Sequence, residues 1–270
     1  MKRPFSKKGI VIGFCGSFFV LILLFCLFFD AFYESTFRSM QDKVSSLAGV
    51  DSGGLREMRA SGGNSVRFLD LKWRLSHVDR PVIIVDAMSE YHGYIKGIPT
   101  SFLAYHKQAS YKHLLRRLIL TGSINVHPEL VTSEEEEVIK HGFAYKKVDI
   151  GSSFVSNDED VDKIIAFYDS VSPDAWLHFH CSHGKGRTTL LLVMLDIMKN
   201  APRVSIGDIV KRQHLLGSEN LFNTEVWKNG TYNKAMLVQR KNFVEKFYKF
   251  ICQRKAGGIQ VWSKWHPLNK

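Results

Sequence analysis

Between Trp176 and Thr189 the chain reads WLHFHCSHGKGRTT, which places Cys181 and Arg187 on either side of five residues. A loop of that length wraps its backbone N–H groups around the oxygens of one phosphoryl group, and Gly184 and Gly186 permit the curvature. A helix beginning near Thr188 adds the positive end of its dipole. Such donors favour the thiolate of Cys181, an in-line nucleophile toward phosphorus, while the Arg187 guanidinium grips two equatorial oxygens. Thr188 donates its hydroxyl to the sulfur and eases its departure, Ser182 completes the loop, and His180 orients it by hydrogen bonding. His183 and Lys185 either place positive charge at the rim, which suits a substrate with several phosphates, or are ordinary solvent-facing loop residues. A metal site built from His178, His180, Cys181 and His183 is the weaker reading, because strand alternation sends both His178 and His180 to one face and Cys181 elsewhere.

A phosphate cradle needs a strand to deliver the nucleophile and a helix to follow it. WLHF from Trp176 to Phe179 supplies the strand, and TTLLLVMLDIM from Thr188 to Met198 has the length and apolarity of a buried helix. PVIIVDA, from Pro81 to Ala87, is the β-branched run of a strand buried on both faces. Phe143 to Ile150 forms a further strand. Helices are expected from Phe68 to Leu75, after Thr132 or Ser133 with Glu134 to Glu137 as cap and solvated surface, from Asp158 to Asp169, from Ile206 to Leu216, and from Asn242 to Cys252. Arg59 to Val66, RASGGNSV, reads as a turn-rich loop, and the tail with Trp262 and Trp265 as surface packing. Lys112, His113, Arg116 and Arg117 form a basic cluster on a helix or on the flank of the site. The expected architecture is one α/β domain, a mostly parallel central sheet flanked by helices with Cys181 at the C-terminal end of a strand.

A departing alkoxide needs a proton, and a carboxylic acid at the rim is the usual donor. Asp149 is the first candidate because it closes a strand just before the loop GSSF. Asp158 and Asp160 are alternatives that already have a role at a helix start.

The first thirty residues are of another kind. Gly9 to Phe29 is a 21-residue run without a charge, enough for a helix of about 30 Å, the thickness of a bilayer's hydrocarbon. Lys2, Arg3, Lys7 and Lys8 precede it and Asp30 and Glu34 follow, so residues 1–8 are expected in the cytoplasm, 9–29 as a transmembrane helix or uncleaved signal anchor, 30–54 as a lead-in, and 55–270 as the catalytic domain outside. That is a bacterial envelope or periplasmic location, or secretion if the segment is cleaved. The 270 residues are 45% hydrophobic and 23% charged with 20 Gly and 7 Pro, which excludes a disordered, collagen-like or disulfide-stapled chain. Cys15 and Cys26 lie inside the apolar run. A Cys181–Cys252 bridge, the one pairing left to the body, would silence a thiolate at Cys181. The net charge of +11 suits an anionic ligand. No nucleic-acid motif accompanies it, and no nucleic-acid partner is expected.

With these residues in view, the chain resembles the cysteine-phosphatase superfamily and, within it, the bacterial protein-tyrosine-phosphatase-like phytases. The nucleophile loop matches that family nearly throughout, from His180 to both threonines after Arg187. Leu55 to Gly63 resembles its small-residue segment, Ile84 to Gly93 its IVD-x-x-x-E-x-HG element, and Val210 to Gly217 its helix ending in Arg-Gln and a glycine. The resemblance implies metal-independent, cofactor-free, stepwise hydrolysis of inositol phosphates through a phosphocysteine. Cys181 would be the nucleophile, Arg187 the clamp and Asp149 the general acid, and Glu90 and His92 would belong to the substrate site. Three departures stand out: Ile150 replaces the histidine after the acid, Met88 an arginine, and His183 a small residue. Phosphotyrosine, other phosphoproteins and phosphoinositides are the alternative substrates of the same cysteine, and a silent phosphate-binding envelope protein is the alternative of another class.

Overall fold

The computed structural model describes residues 7–33, 35–43, 49–101, 111–151, 155–226 and 232–269. Lys2, Arg3, Glu34 and Ser152 to Phe154, which the sequence reading used, lie outside them. In chain order the elements are α1 (Lys7–Phe32), β1 (Arg38–Ser39), β2 (Ala60–Asn64), α2 (Phe68–Arg74), β3 (Val82–Asp86), β4 (His92–Ile95), β5 (Ile98–Ser101), α3 (Tyr111–Thr121), α4 (Glu134–Lys140), β6 (Ala144–Lys147), α5 (Asp158–Ser170), β7 (Trp176–Cys181), α6 (Gly186–Asn200), α7 (Ile206–Leu215), α8 (Lys234–Lys255) and α9 (Trp262–Trp265). The main sheet runs β1-β2-β7-β3-β6. β2, β7, β3 and β6 are mutually parallel, and only β1 is antiparallel at its edge. β4 and β5 form a separate hairpin.

The apolar run of β3 is buried on both faces. Ile84 packs with Phe68, Leu71 and Val138 of α2 and α4, whereas Val85 packs with α6 and its neighbours. β7 alternates likewise: Trp176 joins the first core, and Leu177, Phe179 and Cys181 join the second. α6 is the centre of that second core, with Leu190 to Leu195 all at 2% exposure or less. Each such leucine contributes roughly 1.5–3 kcal/mol by leaving water.

Two elements differ from the sequence reading. RASGGNSV contains a strand, β2, buried along its length. Its glycine and serine content, which resembles a turn, answers instead to the close approach of α6: a Cβ on Gly62 would stand 2.7 Å from Thr188 Cγ2 and 3.0 Å from Leu192 Cδ1. Trp262 and Trp265 are each 1% exposed. They close the core against Phe243, Phe247 and Phe250 of α8, and Trp262 donates its indole N–H to Asp158 at 2.8 Å. A tail cannot be placed from its own residues when the surface it covers belongs to helices elsewhere in the chain.

α1 is one continuous helix whose Cys15–Phe32 stretch is long and apolar enough, by length and composition, to cross a membrane. Among the described residues its last turns meet the body. Ala31 is buried, the Ala31 carbonyl accepts from Arg67 N, and Arg67 and Arg74 lie over the rings of Phe32 and Tyr33.

Replacing Gly62 with valine forces β2 and α6 apart and should lower stability by about 1–3 kcal/mol, the usual cost of overpacking. Denaturant unfolding of the full chain in detergent checks this. An unchanged midpoint would contradict the close-approach account.

Candidate active site

Cys181 is the last residue of β7, and α6 begins at Gly186, so the first-turn amides of a 15-residue helix follow the short loop after the cysteine. The thiol is buried and free, and the Thr188 hydroxyl donates to its sulfur at 3.2 Å. Arg187, 5% exposed, donates from Nη1 to the Ala87 carbonyl at 2.9 Å and forms a two-pronged pair with Glu90, Nη1–Oε2 2.9 Å and Nη2–Oε1 2.7 Å. This fork-to-fork geometry fixes the guanidinium plane beside the loop. Opposite charge holds the Glu90 carboxyl below its ordinary pKa despite the cost of burial.

Gly184 has φ +66°, and a Cβ there would fall 2.3 Å from the carbonyl carbon of Gly63. The loop is thus pressed against β2 at a place only glycine fits. Arg38, on β1, braces the same turn from beneath. It donates to the Gly184 carbonyl at 2.8 Å, the Thr189 hydroxyl at 3.1 Å and the Ser218 hydroxyl at 2.6 Å. Thr36 adds bonds to His183 O and Asn64 Oδ1. The sequence reading passed over Arg38 and Thr36, because a lone arginine after an apolar helix carries no local mark of a partner 146 residues away.

Behind the loop lies a buried ionic network. Asp86 ends β3, His92 starts β4, Glu134 starts α4, and His180 precedes the cysteine. His92 Nε2 reaches Glu134 Oε2 at 2.7 Å and Asp86 Oδ2 at 3.3 Å, and its Nδ1 lies 2.5 Å from the Glu90 carbonyl. Carbonyl and carboxylate oxygens only accept, so both ring nitrogens carry protons and His92 is an imidazolium. Burial opposes that charge, but the Asp86 and Glu134 carboxylates push its pKa up to about 10. His180 Nε2 stands 2.5 Å from Glu134 Oε1. Its pKa is raised too, burial being outweighed by Glu134. Lys147 Nζ and the Tyr145 hydroxyl complete Asp86 at 2.6 and 2.9 Å. The carboxyls of Asp86 and Glu134 are correspondingly held low against burial, chiefly by His92 for the first and His180 for the second.

Glu134 is therefore a correction to the sequence reading. Ser133 and Glu136 do form a capping box, but Glu134 and Glu137 are 3% and 2% exposed and turn inward to histidines. Oxygen and nitrogen atoms of Asp86, His92 and Glu134 lie within 4.8 Å of one another, close enough to share a metal ion. Lys147 and the His92 imidazolium already pair with those carboxylates, so the group has the chemistry of an ion-pair network.

The other residues singled out in the sequence fall as follows. His183 and Lys185 are exposed and Ser182 half-buried on the loop. His180 and His92 are turned into the network. Gly186 lies under the hydroxyl of Tyr232, which a Cβ would approach to 2.7 Å. Asp149 is exposed two residues beyond β6. The parallel register pairs Asp86 with both His180 and Lys147, so Asp149 stands at the same sheet edge as Cys181, two strand spacings or about 10 Å away. Asp158 bonds Trp262 and His266, and Asp160 bonds Lys163. Met88 is buried in the core at 4% exposure, its carbonyl taken by Lys147. Cys252 is a free thiol.

A family model described as inositol hexakisphosphate, that of the protein-tyrosine-phosphatase-like phytases, matches residues 90–199. The PTP-like myo-inositol phosphatase of Mitsuokella multacida, solved with myo-inositol-(1,3,4,5)-tetrakisphosphate, superposes with a TM-score of 0.72 at 29% identity over 87% of this chain and 45% of that one. The chain thus spans about half that protein's length. A PTP-like phytase of Bdellovibrio bacteriovorus shares the fold, with a TM-score of 0.65 at 24% identity over 87% of this chain and 91% of its own. Effector protein hopD2 of Pseudomonas syringae pv. tomato is 22% identical over 86% of this chain and 56% of its own length. AvrBs1.1 of Xanthomonas campestris pv. campestris is 33% identical over 96 residues, 36% of this chain and 92% of its own.

The network also sets a pH dependence. The raised histidines contribute fully below their ordinary 6.5, and that contribution is lost as pH rises through the folded value, about 10 for His92. The lowered carboxyls contribute above their ordinary 3.8 and 4.5 and lose it as pH falls below. Melting temperature should therefore crest between these limits and decline on both sides. Glu134→Gln, which strands two imidazoles, should cost about 3–5 kcal/mol near pH 6 and flatten the alkaline decline. Calorimetry across the range checks it, and a variant with the parent's alkaline slope would remove the network as the cause.

Proposed function

The chain belongs to the protein-tyrosine-phosphatase-like phytase family, and from that premise we propose that it is a metal-independent phosphomonoesterase of inositol phosphates working through Cys181. The observation that carries this reading is the buried Cys181 sulfur, bonded by Thr188 and followed by the amides of α6, with Arg187 locked in plane by Glu90. A pure binding loop has no use for a thiol at that point.

In the first step Sγ attacks phosphorus in line, the phosphorus–oxygen ester bond breaks, and Asp149 gives its proton to the departing alkoxide. Loop amides and Arg187 hold the equatorial oxygens as charge builds on them. In the second step water attacks the phosphocysteine, Asp149 takes the water's proton, and the sulfur leaves as a thiolate to which Thr188 donates. Glu90 acts on the substrate through Arg187, and His92 and His180 through the placing of the strand ends. Ser182, His183, Gly184, Lys185 and Gly186 line the rim and cradle. Lys185 and His183 are exposed on the loop and belong to the rim, whereas Met88, where the resemblance expects an arginine, is turned into the core and so weakens the hold on a highly phosphorylated ring.

Phosphoprotein hydrolysis is the second reading, since the same cysteine and arginine would serve it, and the relative named an effector, which matches over 86% of the chain, hints at a role other than inositol phosphate breakdown. That relative also supports secretion. For the chain in hand, the exposed apolar stretch of α1 supports an anchor, and the four basic residues that precede it in the sequence support a body outside the cytoplasm.

Phosphate release by the reduced full chain in detergent, without added metal, should be faster on inositol hexakisphosphate than on a phosphotyrosine peptide and vanish in Cys181→Ser. Asp149→Asn should lower kcat on inositol phosphates by about 10²–10⁴ and spare p-nitrophenyl phosphate, whose leaving group needs no proton. Preference for the peptide would select the second reading. No Cys181-dependent release from either would leave a phosphate-binding protein.

A further inference from the structure

We infer that α3 is an interfacial helix that lies in the headgroup layer of the bilayer, seating the body on the membrane surface beside α1. The inference goes beyond the phosphatase reading and rests only on the proposed anchoring by α1.

α3 is inverted for a helix of a water-soluble body. Arg116 and Arg117 are 1% and 4% exposed, whereas Tyr111, Leu115, Leu118 and Ile119 are 85%, 49%, 43% and 50% exposed. Those four lie at i, i+4, i+7 and i+8, one stripe of the helix. The stripe continues into Ile124 and Val126, at 53% and 43%. A run of large apolar side chains turned outward in this way marks a contact surface.

The buried arginines show what lies next to that surface. Arg116 donates to the Leu27 carbonyl from Nε at 2.9 Å and from Nη2 at 2.7 Å. It also pairs with Asp30, as does Lys112, and its guanidinium lies 5.6 Å from the Phe28 ring. These bonds set α3 level with residues 27–30, where the uncharged run of α1 ends. Counting back about 20 residues at 1.5 Å each from Phe29 spans the hydrocarbon, so α3 stands at the height of the headgroups. An apolar groove of about 600 Å³ lies where the two helices meet, lined by Leu24, Phe28 and Phe32 of α1 together with Ile98 of β5 and Leu120 of α3.

A bilayer is the occupant that this geometry selects. Phe18 to Phe25 of α1 are 36–64% exposed, and the lipid that covers them ends at the level where Arg116 and Lys112 hold α3 against Leu27 and Asp30. Arginine, lysine and tyrosine around the emerging helix, including Arg67 and Arg74 over Phe32 and Tyr33, have the composition of a membrane–water boundary.

The test is photocrosslinking of the full chain reconstituted in vesicles of phosphatidylcholine and phosphatidylglycerol. p-Benzoylphenylalanine replaces Leu118 in one preparation, Ile22 of α1 in a second, and Lys163, 75% exposed on α5, in a third. Adducts are identified by mass spectrometry. Lipid adducts at 118 and 22, several-fold above those at 163, are expected. Lipid at 22 with none above the 163 level at 118 overturns the seating of α3 while leaving the anchor standing. Chain-to-chain adducts at 118 in place of lipid assign the face to a second copy and overturn the proposal too. Lipid at neither position removes the anchor and this inference with it, and phosphate release in detergent remains a separate measure of the catalytic reading.

Discussion

Glu134 sits 3% exposed between two imidazoles, and much of the site depends on that arrangement. Its carboxylate faces His180 from β7 and His92 from β4, and His92 is shared with Asp86 of β3, which in turn holds Lys147 and Tyr145 of β6. Five elements thus meet through charge at the edge where Cys181 emerges. Charges taken out of water are tolerated only when paired closely, so a shift of any one strand end exposes a cost at all the others. Cys181 is thus positioned by the strand ends beneath it as well as by its own loop.

The same logic recurs at the far end of α6. Asp196 and Arg212 are both fully buried, and Gln213 also donates to Asp196, while Arg212 reaches the carbonyls of Asp51 and Gly53. The Arg-Gln pair near the end of α7 therefore tethers the helix whose N-terminus follows the Cys181 loop. α6 is held by Arg187 and Thr188 at its start, Arg38 through Thr189 on its flank, and Arg212 near its end. A helix fixed along its length can aim its amides without reorganising when charge develops, which is the physical content of preorganisation.

The body and α1 are joined by a different chemistry. Arg67, Arg74 and Arg116 pack their guanidinium planes over Phe32, Tyr33 and Phe28 or bond main-chain carbonyls there. These contacts hold the apolar helix against the folded body, so the two are oriented by side chains as well as by the chain that joins them.

The nucleophile loop was legible in sequence because its chemistry is local. Cys181, Thr188 and Arg187 are few residues apart, and a strand run, two glycines and an apolar helix leave little freedom in how they fold. β3, β7, α5, α6 and α7 were legible for the same reason, each marked by its own periodicity or cap. The strand in RASGGNSV was not, since its glycines answer to α6 more than a hundred residues later. The inward turn of Glu134 was hidden in a run of four glutamates, and Arg38 had no local signature at all. Glu90 could be matched by pattern, but its pairing with Arg187 across 97 residues is a product of β3 lying beside β7. Spacing along the chain determined which groups can react. Strand order and packing decided which distant charges hold them, because a buried ion takes its partner from whatever the fold brings within a few ångströms.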